Sequence, residues 1–235
     1  MSTRSVHAVV LPGAGSDARF AADAFASAFA TAGTTTQTVD PDPTGVIAGY
    51  ERALDDAARE HGPIIVGGIS IGAAVAMSWA LEHPDRVVAV LAALPPWIGV
   101  AGDAPAALSA RLTSHRLNTE GLGPATAAMA SSTPPWLAET LTRSWASQWP
   151  DLPGALREVA DYTAPSVDEL RRVRVPTALV GAVDDPVHPF DVAEVWHREI
   201  EGSALASVTL DQIGRDPGVL GRCAMDALSR THARA

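Results

Sequence analysis

The stretch Gly68-Ile69-Ser70-Ile71-Gly72 sets a hydroxyl between two residues that have no side chain. A serine oxygen can attack a carbonyl carbon when it stands clear of its neighbours and a base takes its proton. The flanking sequence meets the first condition. Residues 63–69 are rich in β-branched apolar side chains over the length of one buried strand, and 73–80 form an Ala-rich run of helical length. A strand that turns at once into a helix forces the turning residue into a strained backbone. Glycines on both sides let the two elements cross closely and thrust the Ser70 hydroxyl out alone. It then stands at a helix N-terminus, where unpaired N–H groups favour negative charge. The plainer alternative is a Gly-rich turn whose serine only caps the helix.

The elements that must hold this stretch follow a strand–helix rhythm. Residues 6–11 read as a first buried strand, ending in Pro12-Gly13-Ala14-Gly15-Ser16-Asp17, a turn of residues that permit tight backbone. Phe20, Ala24, Phe25 and Phe29 recur at helical spacing over 19–32, and 34–39 reads as a second strand. Residues 45–61 place Ile47, Tyr50, Leu54 and Ala58 on one helical face, and 87–91 is another buried strand. This alternation predicts a parallel, doubly wound sheet over the first 95 residues. Ligands of such sheets bind beyond the carboxyl ends of the strands, where Ser70 falls. Further on, 166–170 reads as a capped helix start, 175–181 as a strand, 190–200 as a helix, 207–210 as a last short strand and 219–228 as a closing helix.

The G-x-S-x-G pattern between strand and helix resembles the nucleophile elbow of the α/β-hydrolases, and the resemblance extends over nearly the whole chain. It implies the α/β-hydrolase fold, a mostly parallel doubly wound sheet with a helical lid insertion. The core is expected over 1–94 and 163–235, and the insertion over 95–162. The first strand starts so early that a short version of the fold, without the usual leading antiparallel pair, is implied. The family commonly writes the first turn His-Gly-x, where this chain has Pro12-Gly13-Ala14. By resemblance, the N–H groups of Ala14 and Ile71 are the donors to a developing oxyanion. Four of the six Trp fall in the insertion segment, and Trp97, just past a strand end, is the best candidate for a pocket wall. The alternative is that these Trp anchor the helices to the body. The run Gly181-Ala182-Val183-Asp184-Asp185-Pro186-Val187-His188-Pro189 resembles the loop that carries the triad acid. Asp185 fits its D-x-x-x-P spacing, and Asp184 fits the distance from Gly181 almost as well; Asp185 is preferred.

One part of the family pattern is missing. The triad histidine is expected in the loop after the last strand, but Asp211-Gln212-Ile213-Gly214-Arg215-Asp216-Pro217-Gly218 has none. Arg215 stands where a Gly-His pair is often found, and an always-charged guanidinium cannot accept the serine proton, though it can bind an anionic group. Among the seven histidines, His7 lies inside the first strand, His61 and His83 lie at helix ends, and His232 lies in the C-terminal tail. His115 sits in the insertion and His197 on the helix after the acid loop. His188 is in the acid loop itself, on the correct edge of the sheet, and is the preferred base.

Composition narrows the partners. The formal net charge is −10 and all 17 basic residues are Arg, against a nucleic-acid partner, which needs clustered positive charge. Cys223 is the only cysteine, so Cys-rich metal sites and internal disulfides are excluded, and no metal or organic cofactor is implied. Apolar runs are too short to span a bilayer, and Met1-Ser2-Thr3-Arg4-Ser5 lacks a signal-peptide apolar region, so a cytoplasmic protein without a membrane partner is expected. The expected activity is that of a serine hydrolase on a small ester, thioester or related acyl substrate with an apolar part. Non-hydrolytic chemistry in the same pocket (cyclisation, elimination or isomerisation), or ligand binding without turnover, is the alternative that the missing histidine keeps open. A homo-oligomer is left open.

Overall fold

The computed structural model describes residues 5–232; the reading of Met1-Ser2-Thr3-Arg4 lies outside them. The chain runs β1 (His7–Leu11), α1 (Ala18–Thr31), β2 (Thr35–Thr38), α2 (Val46–His61), β3 (Ile64–Ile69), α3 (Ile71–Glu82) and, after a single 3-10 turn at Pro84–Arg86, β4 (Val87–Ala93). Four helices follow before the next strand: α4 (Pro105–Glu120), α5 (Leu122–Ser132), α6 (Pro135–Gln148) and α7 (Leu152–Ala160). The chain then continues through α8 (Val167–Leu170), β5 (Thr177–Ala182), α9 (Phe190–Glu199), β6 (Ala204–Val208), α10 (Leu210–Arg215) and α11 (Val219–His232).

The six strands form one sheet in the order β2-β1-β3-β4-β5-β6, and every pairing is parallel. Parallel strands need both faces covered, and period-2 alternation sorts the side chains accordingly. On one face Ala8 and Val10 of β1 and Leu91 of β4 pack against Phe20, Phe25 and Phe29 of α1 and Leu220 and Ala224 of α11. On the other face Val9, Leu11, Val66 and Val90 meet Tyr50 and Leu54 of α2, most of α3, and Trp196 of α9. Fully burying side chains such as Phe25 or Leu54 contributes about 1.5–3 kcal/mol each. The helix α3 has no polar stripe because it is covered on all sides, with Ile71 to Met77 and Trp79 to Ala80 buried.

The strand order reverses at β1: β2 lies on one side of it, and β3 to β6 extend on the other. That reversal opens a crevice at the carboxyl ends of β1 and β3, where parallel sheets bind their ligands. Leu11 pairs with Gly68 at this edge, so the turn after β1 and the turn after β3 stand side by side.

Three expectations near the C-terminus are corrected. The last strand is Ala204–Val208 rather than 207–210, and the loop expected over 211–218 begins as the helix α10. The cause is a capping box: Thr209 Oγ1 accepts from Gln212 N at 3.2 Å while Gln212 Oε1 accepts from Thr209 N at 2.9 Å, which ends the strand at Val208. His232, expected in a tail, is the last residue of α11.

Candidate active site

Ser70 lies between β3 and α3 with φ 57° and ψ −122°, the strained backbone expected of a residue that reverses a strand directly into a helix. Both flanking glycines are required by contact. A methyl group on Gly68 would strike the backbone of Gly72 and Ala73, because the first turn of α3 folds back over the strand end. One on Gly72 would strike the backbone of Leu11 and Pro12, because α3 crosses the end of β1. Ser70 is anchored by its own N–H to Ala93 O at 3.0 Å, and the residue is half-buried.

The partner of that hydroxyl comes from the loop after β5. His188 Nε2 is 2.8 Å from Ser70 Oγ, and His188 Nδ1 is 2.9 Å from Asp185 Oδ2. An ionised carboxylate can only accept, so Nδ1 carries the ring proton and Nε2 presents a lone pair to the serine O–H. Asp185 Oδ1 accepts the N–H groups of Val187 at 2.8 Å and His188 at 3.2 Å, which curls the loop around the carboxylate. Pro189 biases His188 toward extended backbone and caps the start of α9. Burial of Asp185 opposes its ionisation, but the hydrogen bond and charge of His188, with the two backbone N–H donors, outweigh it and hold the carboxyl below its usual range.

Asp184, the neighbouring candidate, is turned to a different task. Its Oδ1 accepts from Leu210 N at 2.8 Å, joining the β5 loop to the start of α10. The other histidines make separate contacts. His7 bonds Thr35 Oγ1 at 2.8 Å and stacks on His61, His83 bonds Trp79 O, His197 bonds Ser203 Oγ, and His115 is exposed on α4. Arg215 is exposed on α10 and paired there with Asp211 at 2.7 Å. The preceding Gly214 lies directly under the Trp136 ring, so this part of α10 is covered by α6.

The candidate oxyanion donors sit on the two adjoining turns. Gly13 is beside the nucleophile: a methyl group on it would lie 3.5 Å from Ser70 Cβ. Among the described residues, neither the Ala14 N–H nor the Ile71 N–H donates a hydrogen bond within the chain. Trp97 is 6% exposed, donates from Nε1 to Tyr162 O at 3.2 Å, and accepts on its carbonyl from Trp196 Nε1 at 3.2 Å. These bonds tie Trp97 to the segment before α8 and to α9. The sequence placed Tyr50 on a buried helix face but did not foretell that its hydroxyl donates to Pro12 O at 2.9 Å, or that α6 contacts the first turn. A cavity of about 680 Å³ lined by Glu51, Trp79, Tyr162 and Arg172 lies away from the nucleophile, beside the C-terminal half of α3. Among the described residues no helix is long and apolar enough to cross a membrane.

The Hydrolase_4 family, described as serine aminopeptidase, S33, matches residues 8–212. The chain belongs to this family of α/β-hydrolases. Solved structures agree on the fold. One from work on carboxylesterases of the thaumarchaeon Nitrososphaera gargenis superposes with a TM-score of 0.77 at 16% identity, over 99% of this chain and 93% of that one. The enol-lactonase of Burkholderia xenovorans gives 0.72 at 16% identity, over 96% and 92%. MenH of S. aureus gives 0.72 at 15% identity, over 99% and 96%. No curated protein matches the sequence.

Proposed function

We propose that the protein is a serine hydrolase that cleaves a small ester, thioester or related acyl substrate through an acyl-enzyme on Ser70. The observation that carries this reading is the chain of contacts Ser70 Oγ, His188 and Asp185 at 2.8 and 2.9 Å. As Ser70 Oγ bonds to the substrate carbonyl carbon, its proton passes to His188 Nε2, and Asp185 stays ionised to stabilise the imidazolium. The carbonyl oxygen, now negative, accepts from the Ala14 and Ile71 N–H groups, which have no other acceptor among the described residues. When the carbonyl re-forms, the bond to the leaving group breaks and that group takes the proton from His188. Water then attacks the acyl-enzyme with His188 again as base, releasing the acid and restoring Ser70. The names of the neighbouring structures, a carboxylesterase study and an enol-lactonase, favour acyl substrates of this kind.

The segment 95–162, with α4 to α7, is the lid of this site, set on a core of 1–94 and 163–235. The contact of α6 with the turn beside Ser70 supports this assignment. A base in contact with Ser70 favours turnover over ligand binding alone and supplies the proton acceptor whose absence from 211–218 motivated the non-hydrolytic alternative. The test is hydrolysis of p-nitrophenyl acetate and butyrate by wild type and Ser70→Ala. Turnover by wild type that falls about 10³-fold or more in the variant supports the reading. Equal turnover in both contradicts it.

A further inference from the structure

We propose that the lid helix α6 sets the geometry of the oxyanion turn, with Gln148 as its positioning residue. This rests on the hydrolase reading above and adds a route by which the insertion acts on the reaction centre.

A peptide unit is planar, so holding its C=O fixes the direction of its N–H. The Ala14 N–H belongs to the peptide whose carbonyl is Gly13 O, and that oxygen accepts from Ser16 N at 2.9 Å. The unit before it is held by Tyr50, through Pro12 O. The unit after it is held from the insertion: Gln148 Nε2 donates to Ala14 O at 3.0 Å and to Ser144 Oγ at 2.9 Å. Ser144 Oγ in turn donates to Ser16 O at 2.6 Å. One turn earlier on α6, Arg143 forks onto Asp17, the N-cap of α1, at 2.6 and 3.0 Å. Three consecutive peptide units around Ala14 are therefore tied to α2, to the turn itself and to α6, and α6 supplies the donors on the side that follows the oxyanion N–H.

A second observation points the same way. Ser16 Oγ, Trp145 Nε1 and Gln148 Oε1 are buried without a hydrogen-bond partner among the described residues. All three belong to this one contact, since a methyl group on Gly15 would lie 3.4 Å from Trp145 Nε1. Unpaired buried polar atoms destabilise a fold. The contact therefore carries polar atoms at 145 and 148 in an apolar setting, and at 148 the amide is held by its donation to Ala14 O.

The test compares wild type, Gln148→Met and Gln148→Glu in hydrolysis of p-nitrophenyl butyrate, with rates divided by active sites titrated with a fluorophosphonate. Met keeps the length and removes both donors; an ionised Glu keeps the shape but only accepts. Both variants are expected to lose about tenfold or more in kcat per titrated site, a part of the loss seen when an oxyanion donor is removed outright. KM is expected to stay within about twofold, since the interaction is made in the transition state. A purely structural role would lower the number of titrated sites and the melting temperature but leave kcat per site unchanged, and that result overturns the proposal. A rise in KM alone also overturns it. If Gln148→Met does not fold, Ser144→Ala is read by the same criterion. Folded wild type that neither turns over the ester nor is titrated overturns the hydrolase reading itself, and this inference with it.

Discussion

His188 and Asp185 lie three residues apart on one loop, and His188 Nδ1 meets Asp185 Oδ2 at 2.9 Å. The proposed base and its orienting acid therefore come from a single strand end, β5. The loop after β6, which the family resemblance made the expected home of the histidine, is instead the start of a helix. Base and acid sharing one short loop means that their mutual geometry depends on local backbone contacts, chiefly the Val187 and His188 N–H groups on Asp185 Oδ1.

The two adjacent aspartates separate by task. Asp185→Asn keeps the shape but favours the wrong imidazole tautomer, and ester turnover is expected to fall by about 10³–10⁴-fold. Asp184→Asn weakens only the bond to Leu210 N, and is expected to leave turnover within about threefold while lowering stability by about 1 kcal/mol or less. Steady-state rates and urea midpoints on the two variants decide this; equal loss of rate in both would reject the assignment.

Moving a histidine to the family's usual position should not restore activity. In His188→Ala/Arg215→His the new ring would stand where Arg215 stands, exposed on α10 beside Asp211. Ester turnover is expected to remain at the level of His188→Ala alone. Recovery of more than about tenfold would mean that α10 can reach Ser70, against the arrangement described.

The elbow glycines are set by backbone, not by a flexible side chain. Gly72→Ala places its methyl against the Leu11 and Pro12 backbone, so either α3 or β1 must shift. Destabilisation of about 3 kcal/mol, the upper end of the overpacking range, is expected in urea unfolding. An unchanged midpoint would show that the crossing of α3 over β1 is looser than the contact implies.

Away from the Ser70 site, Asp17 and His7 both contribute to the acid side of the stability profile. Burial raises the Asp17 carboxyl, but the hydrogen bonds from Arg143 and Phe20 N–H outweigh it and hold its pKa below the ordinary 3.8. The unfolded chain then binds the proton more tightly, so this contribution is complete above about pH 4 and fades as pH falls through the folded value. Asp17→Asn should cost about 1 kcal/mol at pH 7, and the gap to wild type should narrow below pH 4. His7 is pushed below its ordinary 6.5, first by burial and then by the His61 charge, against opposing contributions from Gln37 and Glu60. Its contribution is complete above about pH 6.5 and declines as pH falls toward the folded value. Urea midpoints from pH 8 to 3 for wild type, Asp17→Asn and His7→Gln read both effects, and a flat difference across pH would contradict them.

Much of this was legible in the sequence because it rests on short-range pattern. The strand–helix alternation predicted the parallel sheet, and the spacing of Gly68, Ser70 and Gly72 marked the strained turn. The preference for His188 came from its place three residues beyond Asp185, on the edge of the sheet where Ser70 stands. The end of β6 was misplaced although its signal was present, the Thr209-x-x-Gln212 capping box. The clasp on the first turn was not legible at all. Gln148 and Ala14 are 134 positions apart, and no local pattern links them. For Trp97 the sequence offered both a pocket wall and an anchor, and its two hydrogen bonds show the tie to Tyr162 and Trp196 that aromatic content alone could not locate.

The central claim, that His188 activates Ser70, is tested most directly by fluorophosphonate labelling with peptide mass spectrometry on wild type and His188→Ala. The account predicts phosphonylation of Ser70 in wild type and its loss, by about 10³-fold or more in rate, in folded His188→Ala. Labelling of the variant at the wild-type rate, or folded wild type that is not labelled at Ser70, would contradict it.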